Sequence, residues 1–171
     1  MNDSLLMVVI VSAIFYGTPL LFAALGELLT ERSGVLNLGV EGMMLMGAVT
    51  GSVISARMQG PAWMVLGVAL VASMIAGAAT AALHAFAVIT LRINQTVSGL
   101  ALTLLTGAAG LSSYLANVWQ LRDPVPNQFT AMNLFGVGDL PIIGPLLFNQ
   151  TFLTYLSWAL VALCSWYLFR T

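Results

Sequence analysis

The stretch 34–48, GVLNLGVEGMMLMGA, places an amide, Asn37, and a carboxylate, Glu41, in an apolar run that contains no basic residue. A carboxylate near the middle of a membrane span costs about 2.5–3.5 kcal/mol to insert unless it faces protein, water or a partner. Acids in such positions commonly bind solutes or carry protons. Asn37 and Glu41 are therefore the first candidates for chemistry in this chain.

Two arrangements of these residues are compatible with the sequence. In a continuous helix, Asn37 and Glu41 are four residues apart, so they share one face toward the bundle interior and the amide can donate a hydrogen bond to the carboxylate. Gly39 and Gly42 lower helix propensity, so 36–42 can instead be the unwound part of a discontinuous span. Two roles for Glu41 then remain open. It either contacts a solute path, or it is a structural member of this polar cluster and binds backbone groups that the break leaves without helical hydrogen bonds.

Three further polar residues are candidates for polar packing. His84 follows Thr80 by four residues on a helix face rich in small residues, which favours an interhelical hydrogen bond over a ligand. Asn94 and Gln95 lie with Arg92 at the end of a span, a pattern typical of a solvated, capped helix start.

The composition of the chain indicates a membrane environment. Hydrophobic residues make up 60% of the 171 residues and charged residues 6%, with a mean hydropathy of +0.98, whereas soluble domains carry about 25% charged residues. The chain is predicted to be an integral membrane protein. Five basic and six acidic residues provide no basic surface for nucleic acid, and the single cysteine excludes an internal disulfide and a CxxC motif.

Apolar runs of about 20 residues, the length that crosses a bilayer, recur along the chain. They predict an all-α polytopic bundle of about five transmembrane helices, at 5–29, 35–56, 62–91, 97–117 and 152–169. We treat 1–171 as a single transmembrane domain. Between 117 and 150 prolines, glycines and charges accumulate, which predicts an external or interfacial loop that lies on the membrane surface or folds back onto the bundle.

Small residues recur at four-residue spacing inside the predicted spans, and this spacing lets helix backbones approach closely in lipid. The examples are Gly47 with Gly51, Ser73 with Gly77 and Ala81, and, at three-residue spacing, Gly107 with Gly110. We therefore expect a packed helical bundle.

Enzyme chemistry has little support in this sequence. It contains no HExxH, no GxSxG and no nucleotide-binding P-loop, and the predicted spans bring no pair of acids together. We expect no cofactor and no metal site. A membrane protein that moves a solute, or that serves as a scaffold, fits these observations better than an enzyme.

Three segments resemble a known family. Residues 18–48, TPLLFAALGELLTERSGVLNLGVEGMMLMGA, are similar to the N-terminal signature of bacterial ABC-transporter permeases of the branched-chain amino acid, ribose and nucleoside type. Residues 91–115 and 147–171 resemble later parts of the same permeases. The form ERSGVLNLGVEG at 31–42 is similar to the simple-sugar and nucleoside subgroup, whereas branched-chain amino acid permeases usually have a different version here.

The resemblance implies a permease subunit of an ATP-driven importer in the bacterial inner membrane. Its implied partners are a second permease subunit, two cytoplasmic ATPase subunits that hydrolyse the ATP, and an external substrate-binding protein. The implied solutes are nucleosides or simple sugars, and the implied mechanism is alternating access. Such permeases have some 300 residues and eight to ten spans, so this chain would correspond to an N-terminal, truncated portion of one.

Three alternatives remain open at this point. The chain can be an inactive, truncated membrane scaffold or remnant that packs against a full permease. It can be a permease for branched-chain amino acids. It can also be an ion-coupled carrier that uses Glu41 as a proton site.

Overall fold

The computed structural model describes residues 2–121, 125–133, 136, 138 and 143–170. The α-helices of this part of the chain are α1 (Asn2–Arg32), α2 (Val40–Arg57), α3 (Ala62–Ala85), α4 (Gln95–Thr106), α5 (Leu111–Val118) and α6 (Phe152–Arg170). Short π-helical turns follow α3, at Phe86–Thr90, and precede α6, at Gly144–Phe148. The described residues group into two compact units, Glu27–Gln128 and the described parts of Met1–Gly26 with Phe129–Thr171.

The predicted all-α membrane fold is confirmed. Four stretches of the described residues are long and apolar enough to cross a membrane, namely Leu5–Arg32, Ala62–Thr90, Gln95–Val118 and Phe152–Arg170. Burial is inverted relative to a soluble protein. Among the described hydrophobic side chains only Val65, Ala69, Leu102 and Cys164 are buried, whereas many large apolar side chains are exposed. An apolar exterior suits lipid as the solvent.

The second predicted span, 35–56, is shorter in the structure and is not among these four stretches. Its helix, α2, begins only at Val40 and has 18 residues. Gly34 has φ of +85°, a backbone conformation that a residue without Cβ adopts readily, and residues 35–37 have no regular secondary structure. The glycine-rich break predicted between 36 and 42 therefore lies at the start of α2.

Within the unit Glu27–Gln128, α2 packs on α3 through small residues, as predicted. A Cβ on Gly47 would lie 3.2 Å from the backbone oxygen of Ser73. A Cβ on Gly51 would overlap the Ser73 hydroxyl, and one on Gly77 would lie 3.8 Å from the Met43 oxygen. Gly47 and Gly51 thus lie where the two helices approach most closely, whereas a Cβ on Gly77 would make only ordinary van der Waals contact.

The predicted span 97–117 is divided into α4 and α5, and the expected role of its glycines is wrong. Gly107 and Gly110 do not pack a helix face, because they lie in the turn between the two helices. A Cβ on Gly110 would overlap the Leu105 carbonyl oxygen. The Ser112 hydroxyl donates a 2.7 Å hydrogen bond to the Gly107 carbonyl, which the break leaves without a helical donor.

In the other unit, hydroxyl groups join α1 to α6. The Thr18 and Thr154 hydroxyl oxygens are 3.1 Å apart, and those of Thr151 and Thr154 are 3.0 Å apart. The Ser157 hydroxyl donates to the Thr154 carbonyl at 2.7 Å. We call these four buried residues the hydroxyl cluster. Just before α6, strand β2 (Asn149–Thr151) pairs antiparallel with β1 (Ala131–Asn133), a short pairing that the sequence did not predict.

The beginning of the predicted loop 117–150 folds back onto α2. The Ser55 hydroxyl donates to the Asn127 carbonyl at 2.7 Å, and the Asn127 amide donates to the Ser55 carbonyl at 3.3 Å. The Arg57 guanidinium lies 4.8 Å from the centre of the Trp119 ring. Residues 122–124, 134, 135, 137 and 139–142 of this loop lie outside the described residues, and its external or interfacial location stays a prediction.

Candidate functional site

The candidate site is built on the residues that join α1 to α2, 33–39, which we call the linking segment. Helix α1 ends at Arg32, and the Gly34 N–H donates to the Glu31 carbonyl at 2.9 Å in the turn that follows. A residue with positive φ just after a helix is a common helix stop. The chain then runs without regular structure until Gly39, the N-cap of α2.

Asn37 stabilises the linking segment itself. Its side chain is 9% exposed, its Oδ1 accepts from the Gly39 N–H at 3.1 Å, and its Nδ2 lies 3.5 Å from the Met43 sulfur. The Asn37 backbone N–H donates to Glu27 Oε1 at 3.0 Å. The predicted hydrogen bond from Asn37 to Glu41 on one helix face is wrong, because the helix begins only after Asn37.

Glu41 lies in the first turn of α2, and its side chain is exposed. The expectation of a carboxylate turned into the bundle interior is therefore wrong for the described chain. Its carboxylate makes no hydrogen bond or ion pair with another described residue. The first turn of a helix favours negative charge, since the backbone N–H groups there point toward it.

One face of α4 receives the linking segment. Gln95, Gly99 and Thr103 follow one another at four-residue spacing and therefore lie on one side of the helix; we call these three residues the α4 notch. Gln95 Oε1 accepts from the Leu36 N–H at 2.7 Å, and Gln95 Nε2 donates to the Gly34 carbonyl at 3.4 Å. The Thr103 hydroxyl donates to the Leu38 carbonyl at 2.9 Å.

Gly99 gives the notch its depth. A Cβ at this position would lie 2.9 Å from both the backbone nitrogen and the Cβ of Leu38, closer than packed atoms normally approach. Gln95 and Thr103, one on each side of Gly99, thus bind the backbone of the linking segment, which approaches closely because Gly99 has no side chain. The linking segment fits α4 in one register.

Gly39 and Gly42 allow the same close approach at the start of α2. A Cβ on Gly39 would lie 2.9 Å from the Leu102 side chain, and one on Gly42 would overlap the Thr106 hydroxyl. Both glycines are buried. The sequence predicted that both glycines lower helix propensity. At Gly42, which lies inside α2, glycine is needed instead because α4 packs against this position.

The remaining candidate residues lie at the start of α4. His84 on α3 is 4% exposed, and its Nδ1 lies 3.1 Å from the Ser98 hydroxyl, while its buried Nε2 has no hydrogen-bond partner among the described residues. Asn94 caps α4 by accepting from the Val97 N–H at 3.2 Å. Gln95 differs from the expected solvated side chain, since it holds the linking segment.

An open cavity of about 500 Å³ lies beside this helix start, lined by Leu36, Val88, Arg92, Ile93, Asn94, Gln95 and Thr96. The described residues include no group of three His, Cys, Asp or Glu side chains placed to hold a metal ion.

Sequence reasoning missed Glu27, Gly99 and Thr103. Glu27 lies near the end of the predicted span 5–29, inside α1, and its Oε1 accepts from the Asn37 N–H. Gln95, Gly99 and Thr103 form a Q-x3-G-x3-T pattern, a small residue flanked by polar ones at helical spacing. That pattern is a usable signal for a face that receives another backbone.

Comparison with known proteins identifies the family. Residues 9–171 match the family described as "Branched-chain amino acid transport system / permease component". The chain belongs to this permease family. It is a multi-pass membrane protein, and the resemblance inferred from residues 18–48 is confirmed.

Curated members of the permease family align over almost the whole chain. A "Putative glucose ABC transporter permease protein" of Haloferax volcanii is 41% identical over 158 residues, 90% of this chain and 45% of its own length. The guanosine ABC transporter permease protein of Bacillus subtilis is 34% identical over 98% of this chain and 53% of its own length. The nucleoside ABC transporter permease protein of Lactococcus lactis is 31% identical over 97% of this chain and 53% of its own length.

The chain thus spans about half the length of these curated relatives. Their names are those of sugar and nucleoside permeases, the subgroup that residues 31–42 resemble. No solved structure matches the chain.

Proposed function

We propose that this chain is a transmembrane permease subunit, or a portion of one, in an ATP-binding-cassette importer for nucleosides or simple sugars. Membership of the permease family and the glucose, guanosine and nucleoside relatives support this proposal. The proposed location is the bacterial inner membrane. The proposed partners are a second permease subunit, cytoplasmic ATPase subunits and an external substrate-binding protein.

The observation that best supports this function is that the Glu41 carboxylate has no partner among the described residues. The sequence left two roles open for it, contact with the solute path or support of the broken helix. Support of the break belongs to other side chains, since Glu27, Gln95 and Thr103 bind the backbone of the linking segment. Glu41 is exposed and without a partner among the described residues, which favours the solute path.

The chemistry of this position fits a neutral, hydroxylated solute. A carboxylate accepts hydrogen bonds only, and it accepts more than one at a time. Nucleosides and sugars offer hydroxyl donors that suit such an acceptor. Charge-assisted hydrogen bonds of this kind are about twice as strong as neutral ones. The first turn of α2 directly follows the break at 33–39, and broken-helix ends of this kind are where transporters bind solutes.

The proposed mechanism assigns energy conversion to the partners. ATP hydrolysis by the ATPase subunits drives alternating access, in which two permease subunits rock around a path that opens to one side of the membrane at a time. The function of this chain is to present hydrogen-bonding groups along that path without a strong net charge. Glu41 binds the solute transiently and releases it as the path changes its opening.

Uptake by the assembled transporter tests the proposal. Membrane vesicles that contain the permease, the ATPase and the binding protein are given radiolabelled guanosine or glucose with and without ATP. We expect ATP-dependent uptake of one of the two, and at least about a tenfold loss of apparent affinity in Glu41→Gln, because one charge-assisted hydrogen bond contributes about 1.5–3 kcal/mol.

Glu31→Gln is the matched control, since Glu31 is also an exposed acid near the linking segment, and we expect it to change uptake little. Normal affinity in Glu41→Gln with normal assembly would remove Glu41 from the path. Uptake by this chain alone, driven by a pH gradient and lost in Glu41→Gln, would favour the ion-coupled carrier instead. Assembly with a full permease and no contribution to uptake would favour the scaffold.

A further inference from the structure

The contacts of the linking segment assign a role to α4 that the family comparison does not. The segment presents backbone groups that no helix or sheet satisfies, and in a membrane protein such groups need other partners. Two side chains of the α4 notch supply these partners on the segment, since Gln95 binds Gly34 and Leu36 while Thr103 binds Leu38. The polar contacts are therefore specific to positions along α4.

Sterics fix the same register. Gly99 lies between the two polar residues, and even one added methyl group there would meet the Leu38 backbone at 2.9 Å. A shift of the segment along α4 would bring Leu38 against a side chain instead of against Gly99. Polar and steric complementarity thus agree on one position.

That position determines where Glu41 lies. Leu38 is followed by Gly39, the N-cap of α2, and Glu41 stands in the first helical turn. Glu41 is only three positions after Leu38, whose carbonyl accepts from the Thr103 hydroxyl. A short connection of this kind transmits a displacement of Leu38 directly to the first turn of α2.

We infer that Thr103 and Gln95 are positioning residues, which hold the linking segment on α4 and so aim the Glu41 carboxylate. This inference rests on the proposed function only where solute binding is the measurement. Neither side chain needs to touch the solute. They affect solute binding only by setting the position of the Glu41 carboxylate.

The first experiment measures the position of residue 41 without transport. Glu41→Cys is made in a Cys164→Ser background, because Cys164 is the single cysteine of the sequence, and the assembled transporter is labelled with a membrane-impermeant methanethiosulfonate. We expect Thr103→Val to change the labelling rate at least about threefold, the effect of losing roughly one hydrogen bond, and Thr103→Ser to restore it. An unchanged rate in Thr103→Val would overturn the inference, whatever the transport activity.

Thr50→Val is the matched control. Thr50 is half-buried like Thr103, but its hydroxyl donates to Met46 within its own helix, so its loss should leave the labelling rate unchanged. If Thr103→Val fails to assemble, Gln95→Met provides the second test, since it removes the acceptor for the Leu36 N–H while Gln95→Glu retains that acceptor. Labelling that is the same in Gln95→Met and Gln95→Glu would also overturn the inference.

The second experiment uses a double-mutant cycle on the apparent affinity for radiolabelled guanosine or glucose. Alone, Thr103→Val should weaken affinity about 3- to 10-fold with an unchanged maximal rate. In the Glu41→Gln background the same substitution should have a smaller effect, because residues that act through one another are not additive. Additive effects would overturn the inference. Normal affinity in Glu41→Gln would instead refute the proposed role of Glu41, a different failure from an unchanged labelling rate.

Discussion

The hydroxyl cluster between α1 and α6 and the α4 notch with its linking segment are both polar regions of an apolar chain, but they are organised differently. In the hydroxyl cluster, Thr18 and Thr151 each meet the Thr154 hydroxyl, and Ser157 donates to the Thr154 carbonyl. The cluster joins two continuous helices. Its buried hydroxyls all make hydrogen bonds within the cluster or its helices, which favours a structural role.

The linking segment region is polar because a helix is broken there. Its backbone is satisfied by side chains from α1 and α4, and the carboxylate that follows, Glu41, remains exposed and unpaired among the described residues. Buried polar groups in this chain thus hold helices together, while a free polar group next to a break is the better candidate for function.

The largest effect is expected where a side chain is added to the notch. Gly99→Val should destabilise the chain by about 1–3 kcal/mol, because an overpacked interface must move the Leu38 backbone. Thermal unfolding in detergent, followed by the loss of monodisperse protein, measures this change. Gly67→Val is the control, because a Cβ on Gly67 has no atom within 4 Å. Equal stability of the two variants would mean that the notch has no steric role.

A smaller effect is expected in the hydroxyl cluster. Thr154→Val retains the shape of a side chain that is 0% exposed but removes the hydroxyl shared by Thr18 and Thr151. Hydrogen bonds between membrane helices are worth about 0.6–1.7 kcal/mol, so the free energy of unfolding should fall by about 1 kcal/mol.

The affinity for solute should not change in Thr154→Val, and this is what separates the two regions. Equilibrium unfolding in a denaturant series, in mild detergent, measures the free energy of unfolding. Vesicle uptake measures the apparent affinity for guanosine or glucose. A variant of normal stability that binds guanosine or glucose more weakly would contradict the structural role of the cluster.

The smallest effect is expected at the helix cap. Asn94→Ala removes the acceptor for the Val97 N–H, and loss of an N-cap at an exposed helix start costs about 0.5–1 kcal/mol. Asn94→Asp, which retains the acceptor, should be neutral. The same unfolding measurement checks both variants. A large loss of uptake in Asn94→Ala, beyond its change in stability, would extend the functional region to the start of α4.

Much of this fold follows from local sequence. Long apolar runs predicted α1, α3 and α6 within a few residues, because crossing a bilayer requires about 20 apolar residues whatever the neighbours are. The glycines of 34–42 predicted a break, and the spacing of Gly47 and Gly51 predicted a close helix contact, although not that its partner is α3. Residues 18–48 were sufficient to indicate the permease family.

The partners of the break did not follow from local sequence. The assumption of a continuous helix placed Asn37 and Glu41 on one face, and it failed because Val40 is the first residue of α2. Gly107 and Gly110 were read as a packing face, although the same residues also suit a turn. Glycine spacing alone does not distinguish these roles, since both depend on what lies opposite.

The local sequence was sufficient to indicate membership of a membrane permease family and a break in the helix that precedes Glu41. Which groups bind the backbone of that break, and which stay unpaired, became clear from the packing of separate helices. The contacts of Leu36 with Gln95 and of Leu38 with Thr103 join residues 59 and 65 positions apart. No local pattern specifies such contacts, because they depend on how separate helices pack. Once they are made, the Glu41 carboxylate stays exposed beside the break, without a partner in the described chain.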